Sequence, residues 1–282
     1  MSEEILDALM QFFAIIAKQD EGVMEKEVEY VRSFLNSQLG KEKVEEYMTY
    51  FKKIAGVDET KDTDKKLTSV KDSVRVLGLC KKINKKLNAN QKVVVLVRLF
   101  ELVNADRNFS DQRMAIINTV AQVFNISKEE FSSIESFVIH SEPEKLDNPN
   151  ILIVSDKKLQ CKLCRTIATE EIDENIVILR ILSSELYFLK YTGNKTILLN
   201  GLALHNRRIY LFAPGSTIKM PKGKPVYYSD VVSHFLADED SQKITFNVKN
   251  VEYRFPNGSI GLRNINLSEE QGRLVGIMGA SG

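Results

Sequence analysis

From Glu3 to Val138 the apolar residues return every three or four positions, and no proline interrupts them before Pro143. Leu6, Leu9, Phe13 and Ile16 form one such stripe, and Val28, Val31, Phe34 and Leu35 another. A stripe of this period buries one face of a helix. The pattern predicts helices over 3–19, 24–38, 41–55, 66–87, 90–104, 110–124 and 127–138, with a polar connector over 57–66. Ser110 and Ser127 stand where N-caps are needed, and Ser127-x-x-Glu130 has the spacing of a capping box. After a polar, proline-bearing stretch the period changes to two. Runs rich in Ile, Leu, Val and Tyr cover 150–155, 158–165, 176–182, 185–191, 196–199, 207–212 and 224–228. Turn residues separate them at Thr192-Gly193-Asn194, Asn200-Gly201 and Pro214-Gly215, the punctuation of a β-sandwich. A short helix over 229–236 closes this part. From Ile244 the chain reads as strand, Asn-Gly turn, strand, polar turn, and a short apolar strand over Leu274–Met278 that runs into Gly279-Ala280-Ser281-Gly282. The expected fold is multidomain α+β: a helical domain over 1–140, a linker over 141–150, a β-rich module over 151–237, a linker over 238–243, and a last segment over 244–282.

Two stretches of the helical part repeat one another. Ala14–Leu35 aligns with Phe100–Ala121, so that Asp20 meets Asp106, Gly22 meets Asn108, Glu25 meets Asp111 and Val28 meets Met114. Each unit is helix, acidic loop, helix. Gly22 and Asn108 suit a left-handed turn, and acids on the following first turn favour the helix dipole. The arrangement resembles the tellurite-resistance TerB-like domain, with its paired A-D-G-x-x-x-x-x-E loops. Asp20, Gly22 and Glu27 carry the first copy, with an extra residue before the glycine. Ala105, Asp106, Asn108 and Asp111 carry the second, where Arg113 stands in the place of Glu27. The resemblance implies a divalent cation at Asp20 with Glu27 or Asp106 with Asp111, because hard cations collect carboxylate oxygens. Turn formation and helix capping account for the same residues and are the simpler reading.

The terminal Gly279, Ala280, Ser281 and Gly282 fill the first four positions of a phosphate loop, G-x-x-x-x-G-K-[ST], whose amides cradle phosphate oxygens. With Tyr253-Arg254-Phe255-Pro256-Asn257-Gly258 and Leu262-Arg263-Asn264-Ile265-Asn266-Leu267 before it, the stretch from Val248 is similar to the opening of an ATP-binding cassette (ABC) nucleotide-binding domain. That resemblance implies stacking of adenine on Phe255, with Tyr253 the second choice, and ATP with Mg²⁺ as cofactors of a longer parent. It also implies a transporter membrane domain and a second nucleotide-binding domain as partners, at the cytoplasmic face of the inner membrane. On this reading the chain is a regulatory or assembly region, inactive by itself, and ATP hydrolysis belongs to the parent. The alternatives are a soluble TerB-like stress-response scaffold, binding divalent metal or protein partners, and a soluble cassette ATPase outside transport.

Gly193–Lys219 is similar to the last part of a forkhead-associated (FHA) domain, but no clear counterpart of the phosphothreonine-reading arginine or Ser-x-x-His is present. A degenerate sandwich that docks a protein partner is the expectation. Cys161-x-x-Cys164 has metal-like spacing, but i and i+3 of a strand point to opposite faces and structural zinc needs four ligands.

Composition adds a few bounds. With 282 residues, 43% hydrophobic, the chain is long enough for more than one core. A formal net charge of +1 gives no general reason to expect nucleic acid or a membrane surface as partner. Three cysteines and an acidic N-terminal segment fit a reducing, cytosolic setting. Lys81, Lys82, Lys85 and Lys86 form a basic helical face around Cys80 that reads as solvated.

Overall fold

The computed structural model describes residues 3–19, 22–57, 68–159, 162–206, 208–236, 245–270, 274–276 and 278–279. The chain divides into two compact units, Met1–Val231 and Val232–Gly282.

The first unit begins with seven helices: α1 (Glu3–Ala17), α2 (Glu25–Asn36), α3 (Lys41–Ala55), α4 (Thr68–Asn84), α5 (Ala89–Asp106), α6 (Asp111–Val123) and α7 (Lys128–Ile139). Two of them are central. α1 buries Leu6, Leu9, Phe12, Phe13 and Ile16 against α3, α4 and α5. α5 buries Val93, Leu96, Val97, Phe100 and Val103 on different sides and packs on α1, α2, α6 and α7. A helix apolar nearly all round has to sit in the middle of a bundle. Both expected caps form: Ser110 Oγ accepts from Arg113 N, and Ser127 Oγ from Glu130 N. The second half of the expected capping box does not. Glu130 turns its carboxylate away from Ser127 and accepts from the N–H and O–H of Ser183 at 2.8 and 2.9 Å. In the first acidic loop Gly22 is left-handed (φ 101°), whereas in the second Arg107 takes that role (φ 59°) rather than Asn108.

The segment after α7 is pinned along its length. Leu146 is buried, Asn148 donates to Ser133 Oγ, and Asp147 accepts from the N–H groups of Lys162, Leu163 and Cys164. These bonds hold 162–164 in a bend, so the strand expected over 158–165 begins only at Arg165.

Nine strands follow: β1 (Ile151–Ser155), β2 (Arg165–Ala168), β3 (Ile176–Ile181), β4 (Leu186–Tyr191), β5 (Leu198–Leu199), β6 (Leu202–Ala203), β7 (Ile209–Leu211), β8 (Thr217–Lys219) and β9 (Val226–Tyr227). They make two sheets, ordered β2-β1-β3-β4-β7 and β6-β5-β8-β9. Only β1 and β2 are parallel. Asn200 and Gly201, both at positive φ, make the two-residue β5–β6 turn that the Asn-Gly pair predicts. β1 is buried at every position and β3 at nearly every one, which marks strands covered on both faces. One face presents Ile151, Ile153, Val177, Leu179, Phe188 and Ile209, and these belong to the same core as the helices. The intervening Leu152, Val154, Ile176, Ile178 and Leu189 are buried on the other face. The helices and the five-stranded sheet are therefore two layers around one core. A last helix, α8 (Tyr228–Leu236), sets the Tyr228 ring against Tyr187 and Phe212 at 5.4 and 5.6 Å.

The second unit holds an antiparallel hairpin, β10 (Thr245–Arg254) with β11 (Ile260–Glu270). Val248 faces Leu267, Val251 faces Ile265 and Tyr253 faces Leu262. Val248 and Val251 are three apart, as are Leu262 and Ile265, and strict alternation would send them to opposite faces. Register shifts fall beside Asn250 and Asn264, both at positive φ, so each of these pairs of residues spans a bulge. The strand expected over Leu274–Met278 is not found: 274–276 and 278 are irregular and exposed, and Ile277 lies outside the described residues. So short a strand needs hydrogen-bonded neighbours, and among the described residues β10 and β11 pair with each other and with no other strand.

Candidate functional site

The acidic loops meet at a buried arginine. Glu27, on the first turn of α2, accepts from the Met24 N–H at 2.8 Å through Oε2, while its Oε1 lies 3.2 Å from Arg113 Nη2. Asp106, the last residue of α5, accepts from the Asn108 N–H at 2.9 Å through Oδ1 and from Arg113 Nη1 at 2.8 Å through Oδ2. Each carboxylate thus uses one oxygen to shape its own loop and the other to hold the same guanidinium. Arg113 is 1% exposed and Glu27 0%. In the internal repeat, Glu27 and Arg113 occupy equivalent positions, so the two halves of the domain join through a pair that a strict repeat would have made like-charged.

Of the residues expected to hold a divalent cation, Glu27 and Asp106 converge, Asp111 sits exposed on the first turn of α6, and Asp20 lies outside the described residues. Between Glu27 and Asp106 the place of a cation is taken. A guanidinium already stands between the two carboxylates, and a second cation there would meet its charge at close range. Among the described residues no group of three His, Cys, Asp or Glu side chains is gathered as a metal site.

A second buried cluster fastens the helices to the sheet. Glu101, on α5, accepts from Tyr30 Oη at 3.0 Å, from Arg98, and from the Ile209 N–H at 2.9 Å. Arg98 donates in turn to the Ile209 carbonyl at 3.0 Å. Ile209 lies on β7, an edge strand, so an i,i+3 ion pair on α5 supplies the donor and acceptor that a neighbouring strand would have supplied. Burial, with the Glu101 charge beside it, pushes the Tyr30 phenol well above its ordinary range. The sequence signal for this joint was a charge pair embedded in VVVLVRLFELV, polar residues on a helix apolar on every side.

Lys190, on β4, is also buried. It donates to the carbonyls of Phe137 and His140 at the C-terminal end of α7 and lies 5.0 Å from the Phe137 ring centroid. It thereby satisfies end-of-helix carbonyls that would otherwise be orphaned. Burial lowers its pKa to about 8, against a smaller opposing pull from Glu142. Cys80 is buried, and burial raises its thiol to about 12, which makes it unreactive at neutral pH. Cys164 is half-buried and not a free thiol; Cys161 lies outside the described residues.

In the hairpin unit, Tyr253 ends β10 with Arg254, and Phe255 follows. Their rings meet edge to face, centroids 5.1 Å apart at 83°, and both are about half exposed. Phe255 lies over Gly261, where a Cβ would come within 2.7 Å of the ring. Gly279 is exposed, and Ala280, Ser281 and Gly282 lie outside the described residues.

These features define a class: a helical domain built from two helix–loop–helix units joined by an internal ion cluster, followed by β sheets. Comparison with known proteins bears on the first part. Residues 6–136 match the family Tellurite resistance protein TerB, so the chain carries a TerB-like domain there, followed by a β-rich region. No curated protein and no solved structure matches the chain.

Proposed function

We propose that the chain acts as a TerB-like scaffold of the tellurite-resistance type, a platform for a protein partner rather than a metal carrier at the Glu27–Asp106 pair. The observation that carries this reading is the Glu27–Arg113–Asp106 cluster within a region that matches the TerB family. Its carboxylates bind the two halves of the domain to each other, and the charge a cation would have provided is covalently present. Deleting the gene and measuring the tellurite concentration that stops growth tests the stress-response part; unchanged tolerance removes it. Titration calorimetry of the intact chain with Mg²⁺, Ca²⁺ and Mn²⁺ tests the second part. Heat that disappears in Glu27→Gln would show that a cation does enter.

A second reading rests on a separate observation, the half-exposed Phe255 and Tyr253 rings at the end of β10. They stand where the cassette resemblance puts its adenine platform, and the phosphate loop would follow from Gly279. In this reading the TerB-like domain and the sheets are the regulatory part of an ATP-driven transporter. A protein extended past Gly282 with a lysine at the seventh loop position would bind a fluorescent ATP analogue, and Phe255→Ala would weaken that binding about tenfold. Binding indifferent to Phe255 removes this role for the ring.

A further inference from the structure

The even overall charge hides a strongly segregated one. Between Ser73 and Val97 the sequence contains six Lys or Arg and no Asp or Glu, although the whole chain nets +1. α4 occupies the first half of that stretch. Its inner side is set by Val76, Leu79, Cys80 and Ile83, all buried, and it packs on α6 and α1. Its outer side carries Val74, Leu77 and Gly78 and, one turn on, Lys81 and Lys82, all exposed. Val74 is 65% exposed and Leu77 40%, large values for aliphatic side chains on a helix that has a buried face of its own. Past the helix end, Lys85 and Lys86 extend the basic surface. With Lys81, Lys82 and Asn84 they line an open recess of about 570 Å³. Among the described residues, none forms an ion pair with Lys81, Lys82 or Lys85.

We propose that this outer face of α4 lies on an anionic lipid surface, with Val74 and Leu77 entering the headgroup boundary and Lys81, Lys82, Lys85 and Lys86 meeting lipid phosphates. A cluster of four lysines, on and just past the end of a helix that also carries a short apolar patch, is the composition that holds a helix in the plane of a charged bilayer. The residue types favour lipid over other polyanions. Lysines are flexible point charges suited to a fluid array of phosphates, whereas a fixed carboxylate or phosphate partner favours the planar fork of arginine. No aromatic residue occurs between Ser73 and Val97, so nothing there would stack on the bases of a single-stranded nucleic acid. The contact is peripheral, since no described helix is long and apolar enough to cross a membrane.

Co-sedimentation of the intact chain with vesicles decides it. The chain should pellet with phosphatidylcholine vesicles containing about one quarter phosphatidylglycerol, stay in solution with pure phosphatidylcholine, and be released by high salt. Replacing Lys81, Lys82 and Lys85 together with glutamate should cut the partition coefficient by about 100-fold or more. The pair Val74→Ser and Leu77→Ser should cut it about tenfold at unchanged salt sensitivity. Thermal melts followed by circular dichroism confirm that these exposed substitutions leave the fold intact, and a Lys→Gln triple variant provides a gentler second test of charge. Failure to pellet with the anionic vesicles at low salt overturns the proposal. So does binding that survives charge reversal, or tighter binding to duplex DNA or to a polyglutamate peptide than to the vesicles.

Discussion

Arg113 shows what a single buried charge does in this molecule. Its guanidinium stands between Glu27 and Asp106 in a place nearly without solvent, and removing it would take their shared cation from two buried carboxylates. Arg113→Ala is therefore expected to cost roughly 3–5 kcal/mol, read from the urea midpoint. A compensated change, Arg113→Met with Glu27→Gln and Asp106→Asn, should recover part of that loss. If the single and triple variants are equally unstable, charge is not what the arginine provides. Lys190 gives a pH-dependent counterpart. Its folded pKa, lowered to about 8 chiefly by burial, lies below that of the unfolded chain, near 10.5. Between those values the unfolded state holds a proton that the native state has released, so stability rises with pH across the interval and is lowest below about 8. The gain between pH 8 and pH 10 should be on the order of 2 kcal/mol and should vanish in Lys190→Met. A flat profile in the native protein would mean that the α7 carbonyls keep the ammonium charged. At this scale the sequence was only half informative. The acids of the two loops were visible from their spacing, but their shared arginine joins residues distant in the chain, which periodicity does not report.

At the scale of elements, the helices were legible to within a few residues because an amphipathic stripe repeats many times along each one. The strands were less so. β2 was displaced because the bend before it depends on Asp147, a residue from another segment. β6 and β8 are too short to display a period. Gly193 shows a different limit: a Cβ there would come within 2.3 Å of Asp173 Oδ1 and Tyr191 Oη, so its turn is specified by a tertiary neighbour as well as by local preference. The joint between α5 and β7 is the element-level feature with the clearest consequence. Glu101→Ala would leave Arg98 buried without its carboxylate and the Ile209 amide without its acceptor. The expected loss is about 3–5 kcal/mol, accompanied by faster hydrogen exchange at Ile209 than at Leu189 in the neighbouring strand β4. Glu101→Gln, which keeps an acceptor, should lose less. Unchanged exchange at Ile209 in Glu101→Ala would show that β7 is held by β4 alone.

Across the whole molecule, the decisive fact is that within Met1–Val231 the helices and one face of the five-stranded sheet share a core. Ile151, Val177, Leu179 and Phe188 count among the side chains that complete the helical core; Arg98, Glu101 and Lys190 bond across between helix and sheet, and Glu130 bonds to Ser183 in the β3–β4 turn. The change of hydrophobic period near residue 140 marks a change of element type; it carries no information on whether the layers on either side pack together. Layers that share a core lose most of their stabilisation together, so they should open together. Native-state hydrogen exchange followed with increasing urea tests this directly. Amides of α5, such as Leu96 and Leu99, and of β3 and β4, such as Leu179 and Leu189, should converge on one opening free energy within about 1 kcal/mol. The β10–β11 hairpin, whose apolar side chains Phe246, Val251, Tyr253 and Leu262 are exposed, should exchange with little protection in the same experiment. A sheet that opens several kcal/mol before α5 would overturn the single-core account, and the TerB-like region would then stand as an independently folding module with the strands as a separate one.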